Sequence, residues 1–321
     1  MPQHDHQQWT DSFPWSLSYR WGHSALTVDF DLSGDAPRLL RVRRPDDPGP
    51  DPEETRSAPS LPLVDLVLPG DDTRRAGPRS IGTASGARLK YHAHHSTCGS
   101  GSDNAAAGES GSASGSVGRG RWHRLTFELH DPATGLTAFV EYASPDGVSV
   151  LRSRVRLRND GAGQVTVRSL GSLLVGGLPS PDDLSVFRAS DDRLAERRWY
   201  TEPLRSAVPD VDHVVRGGSG RAVARFAGRG SGPTGGHLAT GALRHRTDGR
   251  CWLWQIESAS GWVWEVGESA GGTYLALGGP THDEHRWRQG LAPGAEFATD
   301  WAALALGDRL DGALAALAAR R

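Results

Sequence analysis

Residues 150–158 read Val-Leu-Arg-Ser-Arg-Val-Arg-Leu-Arg, and this run decides the fold class. Leu151, Ser153, Val155 and Leu157 alternate with Arg152, Arg154, Arg156 and Arg158. Successive side chains of a β-strand point to opposite faces, so period two puts the aliphatic groups on one face and the guanidinium groups on the other. A sheet with one dry and one wet face reads this way. The pattern recurs at Trp122–His130, where His123, Leu125, Phe127 and Leu129 oppose Trp122, Arg124, Thr126, Glu128 and His130. Residues 136–143, 164–175, 222–227, 251–257, 262–268 and 273–278 also read as strands. Ser258-Ala259-Ser260-Gly261 reads as a short hairpin turn joining two of them, and Pro145-Asp146-Gly147 as another turn.

The 41 glycines and 20 prolines punctuate the chain about every ten residues, and long helical patterns are missing. Two stretches interrupt the strands. Pro45–Pro62 carries six prolines among acidic residues and serine, and reads as an irregular surface loop. Ser96–Gly120 is almost entirely Gly, Ser and Ala; such a segment buries too little surface to offset its ordering entropy. The expectation is a disordered insert at 96–120 inside one β domain spanning 1–307. Asp308–Arg321 places Leu310, Leu314 and Leu317 at helical spacing and ends in Arg320 and Arg321, where cations suit the helix dipole.

Composition excludes several classes. In 321 residues, 36 Lys and Arg face 38 Asp and Glu, a net charge of −2. No domain-wide basic field exists for nucleic acid or an anionic membrane surface. No apolar run approaches the roughly 18 residues of a membrane helix. Met1–Trp9 is polar and lacks a basic-then-apolar leader pattern, so a cytoplasmic location is expected. The two cysteines, Cys98 and Cys251, make no disulfide framework. Lys90 is the only lysine beside 35 arginines, which reflects codon usage rather than function.

Few constellations point to chemistry. His92, His94 and His95 precede Cys98, and His92 and His94 share a face if the segment is a strand, so a metal pair is geometrically allowed. The plainer reading is a polar strand end. Eleven tryptophans invite a carbohydrate reading, because indoles stack on sugar rings. Trp252 and Trp254 share one strand face and Trp262 and Trp264 another, which equally describes a sandwich core or a stiffened hairpin. Trp199, in the polar stretch 195–200, is the better candidate for an exposed ring. Glu257, Glu265 and Glu268 lie near the tryptophans and Asp191-Asp192 just before Trp199, yet their spacing singles out no acid/base pair, and a solvated sheet face accounts for them. No phosphate loop followed by Lys-Ser/Thr occurs, and no cofactor is expected.

From about Leu61 onward, an ordered series of segments resembles the N-terminal domain of bacterial α-galactosidases of glycoside hydrolase family 36. The series runs from Gly82-Thr83-Ala84-Ser85-Gly86-Ala87-Arg88-Leu89-Lys90-Tyr91 through Trp122-His123-Arg124-Leu125 and Leu129-His130-Asp131-Pro132-Ala133-Thr134-Gly135-Leu136. It continues with Ser144-Pro145-Asp146-Gly147-Val148, Leu157-Arg158-Asn159-Asp160-Gly161 and Leu194-Ala195-Glu196-Arg197-Arg198-Trp199. It closes with Trp252-Leu253-Trp254-Gln255-Ile256-Glu257, Trp262-Val263-Trp264-Glu265-Val266-Gly267-Glu268 and Leu291-Ala292-Pro293-Gly294-Ala295-Glu296-Phe297.

The resemblance implies an all-β fold, a galactose-mutarotase-like β-supersandwich of two sheets, with a short C-terminal helix at 308–321 leading toward a catalytic (β/α)₈ barrel. Family enzymes retain configuration, using one barrel Asp as nucleophile and another as acid/base. Their Lys-x-Asp strand is missing here, because Lys90 is followed by Tyr91 and His92, and the Gly-rich acid/base segment is missing too. No catalytic residue is therefore assigned, and the chain alone is expected to be inactive. The implied partners are an α-galactoside, a barrel in cis and a second copy in a homo-oligomer. Family N-terminal domains lend side chains to the rim of the sugar pocket, so Trp199 and Arg79, in the loop to Arg88, are the substrate-binding candidates. The rival readings are a free-standing sugar-binding module and a mutarotase-type isomerase using His245 with Glu257 or Glu265.

Overall fold

The alternating run becomes β9 (Val150–Asn159), near the middle of the largest sheet. In the computed structural model, which describes residues 18–47, 61–71, 80–100, 120–192, 195–209, 223–229, 236–269 and 272–320, Leu151, Ser153, Val155 and Leu157 are fully buried. Around β9 lie β6 (Lys90–Ser100), β7 (Arg121–Asp131), β8 (Leu136–Pro145), β12 (Leu184–Asp192), β13 (Ala195–Pro203), β15 (Gly236–His245), β16 (Cys251–Ile256) and β21 (Ala302–Gly307). Their order is β13-β12-β15-β16-β21-β9-β8-β7-β6, with β20 (Glu296–Ala298) also pairing β9. Every described pairing in this sheet is antiparallel.

A second sheet, in the order β14 (Val223–Gly228), β17 (Trp262–Ser269), β18 (Gly272–Gly278), β11 (Ser169–Leu178) and β5 (Leu66–Val67), covers the dry face of the first. A four-stranded sheet of β1 (Ser18–His23), β2 (Leu26–Asp31), β3 (Arg38–Arg43) and β4 (Leu61–Pro62) extends the same core through Leu26, Val28, Phe30 and Leu39. The short pair β10 (Val165–Val167) and β19 (Gln289–Leu291) completes the strands, so the predicted strand 164–175 is two strands in different sheets. The fold is an all-β supersandwich.

The expected tryptophan hairpin does not form. β16 pairs with β15 and β21 in the large sheet, whereas β17 pairs with β14 and β18 in the smaller one. The segment Ser258–Gly261 therefore crosses from one sheet to the other, and Trp254 meets Trp264 edge to face with ring centroids 5.0 Å apart. Trp252, Trp254, Trp262 and Trp264 are all buried, at 7, 0, 2 and 1% exposure, as a core reading requires. Gly241 on β15 makes room: a Cβ there would lie 2.6 Å from the Trp254 ring.

The C-terminal helix runs Leu310–Ala319 and packs on the outer face of the large sheet. Ala313 and Leu317 bury against Ala303, Ala305, Cys251 and Leu253. The sequence stripe needed a partner along its whole length, but Leu314 remains 44% exposed, because the close approach uses alanine and glycine instead. A Cβ on Gly307 would sit 2.4 Å from the Ala313 nitrogen. The Gly/Ser insert also differs from expectation at its start. Residues 96–100 are the end of β6, paired from Ser96↔Leu125 to Ser100↔Arg121, and residues 101–119 lie outside the described set.

Replacing the 19 residues 101–119 with a four-residue turn lowers the loop-closure cost by about 1.4 kcal/mol. The thermal midpoint by circular dichroism should therefore move by only a few degrees.

His23 gives an acid-sensitive joint between the small sheet and β8. Its Nδ1 accepts from the Ala25 N–H at 3.2 Å, so Nε2 carries the proton toward the Ser144 hydroxyl at 2.7 Å. Burial, helped by the neighbouring His123 and opposed by Asp146, lowers its pKa from 6.5 to about 4. Above the unfolded value near 6.5 neither state binds the proton; between 6.5 and 4 only the unfolded chain does. Stability should fall over that window by on the order of 2 kcal/mol. Urea unfolding at pH 7 and pH 4 should show this loss in the parent and a smaller one in His23→Gln.

Candidate functional site

Trp199 sits on β13, the edge strand of the large sheet, and not in an irregular stretch. Its register partner is Ala189, so it shares a face with Phe187. The Phe187 and Trp199 rings stack with centroids 4.7 Å apart and planes 11° apart. Phe187 supports one face of the indole, and the ring stays 41% exposed. A rigid, half-covered indole is the form of platform that binds the apolar face of a sugar ring at little entropic cost.

The other face of the β12–β13 ribbon is also aromatic. The Arg188 guanidinium lies 4.5 Å from the Tyr200 ring centroid and 4.6 Å from that of Phe226, and its Nε donates to Glu202 at 2.8 Å. Phe226 stacks on Trp264 at 4.2 Å and meets His237 edge-on at 4.8 Å. The ribbon thus joins the exposed Tyr200 to the core. Sequence reading missed Phe187, Arg188 and Tyr200. Their pairing is set by the β12–β13 register, Phe187↔Thr201 and Arg188↔Tyr200.

Arg79 lies outside the described residues, but the loop that follows it is held by buried carboxylates. Asp65, 3% exposed, accepts from the Gly82 and Thr83 N–H groups and from the Thr83 hydroxyl. Asp71 accepts from the Leu68 N–H and the Ser85 hydroxyl. Glu265 is fully buried rather than on a solvated face: it accepts from Ser80 N–H at 2.8 Å, Ser80 Oγ at 2.9 Å, Tyr274 Oη at 2.6 Å and Arg225 Nε at 2.8 Å. Beside this network Ser80, Arg168, Ser169, Arg225, Thr281 and His282, with Val67 and Asp283, line a small depression with room for about one water molecule.

The remaining candidates disperse. Glu257 accepts from Arg152 Nη2 at 2.6 Å and Arg320 Nη2 at 2.5 Å, and Glu268 accepts from both terminal nitrogens of Arg205. His245 Nδ1 is 2.8 Å from Asp248, so neither expected histidine–glutamate pair assembles for an isomerase. The side chains of Asp191 and Asp192 lie outside the described set. A bulge between Tyr91 and Ala93 interrupts the alternation that placed His92 with His94. His94 instead packs on Tyr19, centroids 4.5 Å apart, and burial lowers its pKa. Cys98 accepts from Arg121 Nε at 2.8 Å, with His123 Nε2 at 3.7 Å. Among the described residues, no three His, Cys, Asp or Glu side chains are arranged to hold a metal ion, and no helix is long and apolar enough to cross a membrane.

No protein-family model and no curated protein sequence matches the chain. Solved structures do. A variant of the family 36 α-galactosidase AgaA from Geobacillus stearothermophilus, bound to 1-deoxygalactonojirimycin, superposes on 93% of the chain with a TM-score of 0.67 at 14% identity. An α-galactosidase from Lactobacillus brevis covers 95% with a TM-score of 0.66 at 12% identity. The galactosidase domain of the α-galactosidase–sucrose kinase AgaSK covers 94% with a TM-score of 0.64 at 15% identity. The chain spans only 42, 41 and 42% of those three chains. At such identities the likeness establishes the shared fold, the sandwich that forms part of those larger chains.

Removing the Arg225 cation leaves the Glu265 carboxylate buried without its ion pair. Arg225→Met should destabilise the domain by about 3–5 kcal/mol. Urea unfolding should also show the double variant Arg225→Met/Glu265→Gln recovering part of that loss.

Proposed function

We propose that this chain is the N-terminal, non-catalytic domain of an α-galactosidase-like retaining glycoside hydrolase. In this reading a (β/α)₈ barrel, absent from these 321 residues, carries the nucleophile and acid/base and is joined in cis through the helix Leu310–Ala319. The supporting observation is the superposition of nearly the whole chain on about two-fifths of each α-galactosidase structure. The absence of a Lys-x-Asp strand agrees with it. Trp199 is the proposed rim residue against the galactoside, with Arg79 second, and a cytoplasmic location belongs to the same reading.

A free-standing carbohydrate-binding module is the second reading, favoured by the preformed stack of Trp199 on Phe187. Both readings assign the domain no hydrolysis of its own. The purified chain should show no turnover of an aryl α-galactoside above a buffer blank; activity that survives repurification would overturn both. Titration with raffinose, followed by tryptophan fluorescence, separates them. Saturable binding abolished by Trp199→Ala favours the module. No binding by the chain, together with a downstream reading frame containing a Lys-x-Asp strand, supports the domain of a larger enzyme.

A further inference from the structure

The helix Leu310–Ala319 has little of its own to keep it helical or in place. It has ten residues, Gly312 lies within it, and Arg309 at its N-cap makes no side-chain capping bond. A helix this short is marginal in water without packing, and a glycine and a missing cap weaken it further. Of its residues only Ala313 and Leu317 are buried. They rest on Ala242, Ala303, Ala305, Val150, Cys251 and Leu253, a cluster separate from the main core and made largely of small side chains. The stronger attachments are polar and lie at the two ends. Arg44 pairs with Asp308 just ahead of the helix. At the far end Arg320, 7% exposed, donates through Nη2 to Glu257 at 2.5 Å and to Gln255 at 3.0 Å. Glu257 also accepts from Arg152 at 2.6 Å, so two guanidinium groups share one carboxylate.

We propose that this helix is a strap that lifts off the large sheet as a unit while the sandwich stays folded, hinging beside Asp308 and opening when Arg320 leaves Glu257. Segments with few buried apolar contacts are the ones that open locally below the free energy of global unfolding. Lifting strands no charge, because Arg320 regains water and Glu257 keeps Arg152. The close approach of Gly307 to the Ala313 backbone makes the docking all-or-none. A gap of even about 1 Å there forfeits much of the dispersion contact, so the helix is either seated or away. What the strap covers is chemically distinct. Cys251 is 2% exposed, and burial pushes its thiol up to about 12 while the helix is seated. With the helix away, the thiol meets solvent and reacts as an ordinary cysteine. The strap thus hides or presents a thiol and a strip of alanines beside Phe187, which packs on the same cluster and carries Trp199. The inference rests on the packing around this helix and is independent of the carbohydrate reading.

Cys98→Ser leaves Cys251 as the only thiol, so the full chain carries its own reporter. Labelling with N-ethylmaleimide near neutral pH, followed by mass spectrometry, reads the opening. The rate should be nearly flat at low urea, since lifting one helix exposes little surface. It should turn steep only where tryptophan fluorescence reports global unfolding. Arg320→Met and, independently, Leu317→Ala should each speed labelling without urea by at least about tenfold, because each removes an attachment of the strap. Leu314→Glu, on the exposed side of the helix, should leave the rate unchanged. Labelling that follows the urea dependence of global unfolding from the lowest concentrations overturns the proposal. So does a parental labelling rate in whichever of the Arg320 and Leu317 variants folds.

Discussion

The contact of Trp254 with Trp264 is the joint on which the rest of the structure depends. Each indole comes from a different sheet, and their edge-to-face packing at 5.0 Å fixes both the spacing and the relative position of the two layers. The Trp264 Nε1–H donates to the Leu238 carbonyl at 3.0 Å, which ties the smaller sheet to β15. Phe226 then lies on Trp264, and Arg188 lies on Phe226. The exposed aromatic ribbon is thus the outward end of a chain of rings that begins in the core.

Buried carboxylates do for the loops what the tryptophans do for the sheets. Asp65, Asp71 and Glu265 gather backbone N–H groups and hydroxyls from Leu68, Ser80, Gly82, Thr83 and Ser85. A backbone N–H buried without an acceptor is costly, and an isolated buried carboxylate is costlier, so each satisfies the other. Arg225 then completes Glu265 with an ion pair at 2.7 Å. The loop reaches its position at the sheet rim because these groups allow few alternatives.

The carboxylates near the tryptophans have structural partners, and that shapes the functional reading. Glu257 clamps Arg152 to Arg320 and so fastens the C-terminal helix to the sheet; Glu268 holds Arg205. The feature suited to a ligand is the supported Trp199 ring.

The residues by themselves determined the all-β class, the dry faces of β7 and β9 and the exposure of Trp199. All of these follow from period-two alternation and side-chain chemistry, which are local properties. The residues left open whether the four tryptophans are core, and Arg152, on the face of β9 expected to be wet, is only 3% exposed, where Glu257 and Trp301 cover it. Tertiary structure alone decided that β16 and β17 belong to different sheets, since a five-residue connection is equally compatible with a hairpin and with a crossing between layers. It also decided that Glu265 is buried, because its acceptors are filled by Ser80 and Arg225, 185 and 40 residues away in the chain. The pairing of Trp199 with Phe187, and the place of β13 at the sheet edge, became visible only with the strand order. Which strand lies outermost is set by the competition of all strands for partners, and no single segment encodes it.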